Sequence, residues 1–111
     1  MKQLLVLRHA KSSWNSSAAT DFDRPLSKRG RRDAPRVGRL LAGKGLVPDY
    51  VVSSPALRAR QTVLAACEAF DIGEDDIHWD DRIYHASTGR LMDVLCECPE
   101  DAQRVMITGH N

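Results

Sequence analysis

Four short apolar runs punctuate the chain: Leu4-Leu5-Val6-Leu7, Tyr50-Val51-Val52, Ile77-His78-Trp79 and Val105-Met106-Ile107-Thr108. Each has the length of a strand, and longer segments with helical spacing lie between them. That alternation predicts βα units and a mainly parallel sheet flanked by helices, an α/β fold. The first and last runs are almost wholly apolar, as expected of strands buried on both faces. Ser27 is placed to cap a helix running to about Lys44, with Val37, Leu40 and Leu41 facing inward and a polar face dense in arginine. Pro35 inside it predicts a kink, or a restart capped by Asp33, because proline deletes one backbone hydrogen bond. Gly43 and Gly45 end that helix.

Ser53-Ser54-Pro55 reads as a compact turn, with Ser54 as N-cap and Pro55 at the first position of a second helix. Its inward face is Leu57, Val63, Leu64 and Phe70. Ser87 caps a third helix through about Cys96, with Leu91, Val94 and Leu95 as the buried stripe and Pro99 closing it. The polar stretch from Lys11 to Pro25 lacks a period and is expected to form a loop at the carboxyl end of the first strand. The stretch from Asp80 to Ala86 is likewise irregular.

At 111 residues this is one domain, residues 1–111. The formal charge of +1 provides no bulk field for nucleic acid or an anionic membrane, so neither is expected as a partner. The first apolar run is too short for a signal-peptide core or a membrane span, which predicts a cytoplasmic protein. Three cysteines, Cys67, Cys96 and Cys98, are an odd number, most simply reduced thiols. His85, Cys96 and Cys98 do not make a zinc site, since the two cysteines face apart on a helix and no second ligand pair follows. No metal and no cofactor is expected. Trp14 and Trp79 are assigned to packing by default, with a place at the mouth of a site as the alternative.

The chemistry gathers at strand ends. Arg8-His9 follows the first run and Gly109-His110-Asn111 follows the last, and the carboxyl ends of strands are where α/β sheets place ligands. Arg58, in the first turn of the second helix, sits where free N–H groups and the positive dipole end favour an anion. With Arg8 it forms a clamp whose planar guanidinium forks match phosphoryl oxygens. A neutral imidazole is a competent nucleophile towards phosphorus, which assigns attack to His9 and charge stabilisation to His110. Lys11, Ser12 and Asn15, on the following loop, are candidate phosphate contacts, with a solvated loop as the equal alternative. Arg29, Arg31 and Arg32 suggest a docking face for an acidic partner, against the commoner explanation of a charged helix surface.

Four ordered blocks resemble the histidine phosphatase superfamily, and within it the SixA-type phosphohistidine phosphatases. They are Leu7-Arg8-His9-Ala10-Lys11-Ser12, Arg24-Pro25-Leu26-Ser27-Lys28-Arg29-Gly30, Ser53 to Thr62, and Gly109-His110-Asn111. The resemblance implies a phosphoglycerate mutase-like fold, phosphorylation of His9 during turnover, and a phosphate pocket of Arg8, Arg58 and His110. It also implies hydrolysis of phosphohistidine on a protein, with a small phosphoester or a non-catalytic phosphate-binding regulatory module as alternatives. Many members carry a glutamate proton donor before the last block. This chain has none there, leaving Asp80, Asp81 and His85 as candidate acids. Members also continue past Gly-His-Asn into a helix and further sheet, so on this pattern a C-terminal part is missing. The uncovered sheet edge and apolar surface would then favour a homodimer. The connecting loops are short for the superfamily, which implies an open site able to admit a protein-borne substrate.

Overall fold

The computed structural model describes residues 2–14 and 17–110. Four strands, β1 (Gln3–Arg8), β2 (Tyr50–Ser53), β3 (Ile77–Trp79) and β4 (Arg104–Gly109), form one sheet in the order β1-β4-β2-β3. Every pairing in it is parallel. Three helices connect them: α1 (Lys28–Gly43), α2 (Leu57–Glu68) and α3 (Thr88–Cys96). The α/β architecture expected from the alternating runs is the one observed.

Both faces of the central strand β4 are buried, which accounts for its unbroken apolar run. On one face Met106 joins Val51, Val63, Cys67, Phe70 and Ile77. On the other, Val105 and Ile107 pack with Val52, Ile83, Val94 and Ala102. Strand β1 departs from its expected burial. It lies at the sheet edge, with Leu5 and Leu7 turned to the first cluster while Leu4 is 41% and Val6 67% exposed on the opposite face. An apolar run identifies a strand, but its place in the sheet depends on which partners are available.

Helix α1 starts as expected, with the Ser27 side chain accepting from Gly30 N–H, and runs unbroken through Pro35 to Gly43. No restart occurs at Asp33, whose carboxylate instead lies near Arg29, Arg32 and Arg36. The inward face agrees at Leu41, which packs against the core, and differs elsewhere. Gly30, Ala34 and Gly38 are buried, whereas Leu40 is 59% exposed. Small residues line this face because the contact it makes is backbone to backbone: a Cβ on Gly38 would stand 2.2 Å from the Ala66 carbonyl oxygen of α2. Gly38→Ala would gain about 1 kcal/mol of helix propensity. Overpacking against an unyielding carbonyl costs about 1–3 kcal/mol, so a net loss is expected, read as a lower urea midpoint in equilibrium unfolding.

Helix α2 begins two residues later than the turn motif suggests. Its N-cap is Ala56, without a side-chain cap bond, and Leu57 N–H is taken by the Phe22 carbonyl at 3.0 Å. Ser54 accepts from Ala56 N–H within the preceding turn and keeps its hydroxyl for the site. The buried face of α2 includes Ala59, Val63, Ala66 and Cys67, with Leu57 and Leu64 only partly covered. Helix α3 is capped by Ser87 through Arg90 N–H and buries Val94, in agreement with its pattern.

Candidate active site

Parallel pairing of the first and last strands assembles the site. Arg8 pairs with Gly109 across the sheet, so the next residues, His9 and His110, emerge side by side with ring centroids 5.3 Å apart. The ladder continues one step further, His9 N–H donating to the Gly109 carbonyl at 3.0 Å. Strand β2 ends alongside, Ser53 pairing with Thr108, and delivers Ser54 and then Arg58. Ala10 is tied to α2 by its N–H bond to Thr62 Oγ1, which itself donates to the Arg58 carbonyl.

His9 Nδ1 lies 2.7 Å from the Ala10 carbonyl oxygen. A carbonyl can only accept, so Nδ1 carries the ring hydrogen and Nε2 keeps the lone pair. Burial lowers the His9 pKa below 6.5, opposed by the Ala10 hydrogen bond and assisted by the charges of Arg58, Arg8 and Arg24. His110 is lowered to about 4, first by burial and then by Arg58. Both rings are therefore neutral at pH 7. Folding holds these imidazoles with fewer protons than the unfolded chain between about pH 4 and 6.5, so their contribution to stability is present at neutral pH and is lost as pH falls through that window. A proton NMR titration of the imidazole resonances should give both midpoints below 6.5, with His110 near 4. Midpoints at or above 6.5 would contradict the arrangement.

His110 Nε2 is 2.8 Å from Ser54 Oγ, and its buried Nδ1 makes no hydrogen bond among the described residues. Arg58 is only 4% exposed. Its Nη1 donates to the Asp21 carbonyl at 2.7 Å and its Nη2 to Asp21 Oδ2 at 3.0 Å. The Tyr84 hydroxyl donates to the same carboxylate oxygen at 2.7 Å. These bonds, led by that of Tyr84, hold the Asp21 carboxyl below its usual range. Asp21 thus uses two of the five N–H donors of Arg58, fixing the guanidinium while leaving others for a ligand.

The cleft around these groups has a volume of about 580 Å³. Arg8, Lys11, Arg24, Arg29 and Arg58 line it with His9, His85 and His110, and Asp33 is the one carboxylate among its described lining residues. Of the first-turn N–H groups of α2, that of Leu57 is already bonded to the Phe22 carbonyl.

Of the sequence candidates, Arg8, His9, Lys11, Ser12, Arg58, His85 and His110 line the cleft together. The Ser12 hydroxyl accepts from Arg24 at 2.9 Å. Asn15 lies outside the described residues. Of the three candidate acids, Asp81 is not among the cleft-lining residues, and Asp80 is bonded to Arg82, which lowers its pKa. His85 does line the cleft, held by a left-handed backbone (φ 55°), with its Nε2 3.8 Å from Asp21 Oδ2. The packing role expected of Trp14 is not observed: the ring is 78% exposed and stacks on Arg24, whose Cζ lies 3.5 Å from its centroid. Trp79 does pack against the core.

Sequence reasoning missed Arg24, Asp21 and Tyr84 as site residues. Arg24 is fixed beneath Trp14 with its Nε buried and unbonded among the described residues, and it stands in the quoted Arg24-Pro25-Leu26 block. That block was its signal. Asp21 and Tyr84 meet only through folding, 63 residues apart.

The model of the histidine phosphatase superfamily (branch 1) matches residues 4–105. An uncharacterized chloroplastic protein of Arabidopsis thaliana is 34% identical over 99% of this chain and 54% of its own length. A structure from Agrobacterium tumefaciens bearing the name phosphohistidine phosphatase SixA superposes with TM-score 0.89 at 34% identity, over 99% of this chain and 70% of that one. A second SixA structure, from Nakamurella multipartitia, gives 0.84 at 32% identity, over 98% and 59% of the two chains. The chain thus spans about half the length of the plant protein it matches.

Proposed function

The chain belongs to the histidine phosphatase superfamily, and from that premise we propose that it hydrolyses a phosphoryl group, carried as phosphohistidine on a protein, through a covalent intermediate on His9. One observation supports this above the rest. The His9 ring is pinned through Nδ1 to the Ala10 carbonyl and kept neutral, so that Nε2 presents a lone pair in a cleft lined by cations.

Nε2 of His9 attacks phosphorus, forming the N–P bond as the bond to the leaving nitrogen breaks. Arg8 and Arg58 hold the equatorial oxygens, on which charge develops, and Asp21 keeps Arg58 oriented as it does so. His110 adds a donor to the same oxygens. A phosphorylated imidazole departs once protonated, and His85 stands at the cleft to supply that proton. Water then attacks the phosphorylated His9, releasing inorganic phosphate and restoring the free ring. The substrate preference follows from the leaving group. Imidazole departs with less acid assistance than an alkoxide, and the Asp80 carboxylate is held ionised by Arg82 rather than kept as an acid.

Incubation with phosphoramidate followed by mass spectrometry under neutral conditions should place an acid-labile phosphate on His9, alongside steady-state release of phosphate from phosphohistidine. Binding of phosphate with neither label nor turnover would instead establish a phosphate-binding module.

A further inference from the structure

Charge in this chain is segregated, which the formal total of +1 conceals. Helix α1 carries six of the sixteen Lys and Arg residues and one of the fifteen carboxylates. It follows that the rest of the chain is net acidic. The burial of Gly30, Ala34 and Gly38, with Gly30 against the Lys11 backbone and Gly38 against α2, fixes which side of α1 faces solvent. At 100° per residue Arg29, Arg32, Arg36 and Arg39 fall on the opposite side, one stripe along a helix of roughly 24 Å. All four are exposed. Arg31 is excluded from this set, since its Nη1 donates to the Leu26 carbonyl.

Two features separate this stripe from an ordinary solvated face. It is continuous with the catalytic cleft, because Arg29 and Asp33 at its near end line the same cavity as His9. It also carries Leu40, a large apolar side chain exposed among the arginines, the composition expected of an anchor within a protein interface. We propose that the Arg32/Arg36/Arg39 face of α1, with Leu40 at its C-terminal end, is a docking surface for an acidic face on the protein that presents the phosphohistidine. The substrate assignment rests on the function proposed above; the docking surface does not.

The observations favour protein over other polyanions. Asp33 lies within the stripe, with its carboxylate oxygens 3.5 to 3.9 Å from nitrogens of Arg29, Arg32 and Arg36, where it would repel a continuous phosphate backbone. A membrane-bound amphipathic helix needs its apolar face free, and the small-residue face of α1 is buried against the Lys11 backbone and α2. A protein surface with separated carboxylates and an apolar contact for Leu40 satisfies both conditions. Such complementarity acts chiefly on encounter and register, and is screened by salt.

The test uses a helical protein with one phosphorylatable histidine flanked on the same face by Asp and Glu, and a control in which those acids are Asn and Gln. The triple variant R32E/R36E/R39E should weaken binding of the unphosphorylated acidic protein at least tenfold at low ionic strength. Its kcat/KM on the phosphorylated form should fall by a similar factor. Free phosphohistidine, too small to reach the stripe, should be hydrolysed unchanged. R32Q/R36Q/R39Q, which adds no like-charge repulsion beside Asp33, should show the same ordering with a smaller effect. Equal binding by wild type and both variants overturns the docking surface, as does an arginine-dependent preference for anionic vesicles or duplex DNA over the acidic protein. Arginine-dependent binding without hydrolysis of either the phosphorylated protein or free phosphohistidine overturns the phosphatase assignment and leaves the docking surface standing.

Discussion

His9→Ala is expected to abolish turnover, with a loss of at least ~10⁴-fold and no phosphorylated protein detectable by mass spectrometry. The size follows from covalent chemistry: the substitution removes the bond-forming atom itself, and no other group can replace it in position. His110 is the nearest alternative nucleophile, its ring centroid 5.3 Å away, but its Nε2 is engaged with the Ser54 hydroxyl, and a ring that donates from Nδ1 has no lone pair there for attack. The His9→Ala protein should nonetheless fold and bind inorganic phosphate, because Arg8, Arg24 and Arg58 remain in the cleft. Activity surviving the substitution would place the nucleophile elsewhere. A phosphorylated residue found at any other histidine would do the same.

Arg58→Ala should lower kcat by about 10²- to 10³-fold, the range for removing one preorganised donor to transition-state charge. It should also weaken vanadate, which resembles the transition state, more than inorganic phosphate. Arg58→Lys is not expected to rescue. The guanidinium reaches the Asp21 carbonyl with one terminal nitrogen and the Asp21 carboxylate with the other, and a single ammonium cannot hold that orientation while also facing phosphate. Asp21 is partly exposed, so losing its cation strands no deeply buried charge, and the folded state should persist. Circular dichroism at the assay temperature checks this. A kcat within threefold of wild type would remove Arg58 from the chemistry.

Residue patterning made the elements legible. Runs of β-branched and aliphatic residues identified four strands, and Ser27 and Ser87 marked two helix starts by local hydrogen bonding that operates within three residues. The misread positions had their partners far away in sequence. Val6 has the composition of a buried strand residue, and its exposure follows from the edge position of β1. Leu40 belongs to an apolar spacing, yet Gly30, Ala34 and Gly38 face inward because the Lys11 backbone reaches Gly30 and α2 reaches Gly38 within backbone contact. Ser54 has the chemistry of a cap, but the Phe22 carbonyl reaches Leu57 N–H first and frees the serine hydroxyl for His110.

The same division runs through the site. The sequence alone determined the candidate groups, Arg8, His9, Arg58 and His110, because each stands at a strand end or helix start that local pattern defines. Only the tertiary structure decided how they are arranged. Parallel pairing of β1 with β4 brought two histidines 101 residues apart into ring contact, and burial beside arginines left both neutral. The loop carrying Asp21 crossed to hold Arg58, and the 81–87 segment brought Tyr84 to the same carboxylate and His85 to the cleft. Charge state and orientation depend on distance and desolvation, which are fixed when the chain is packed.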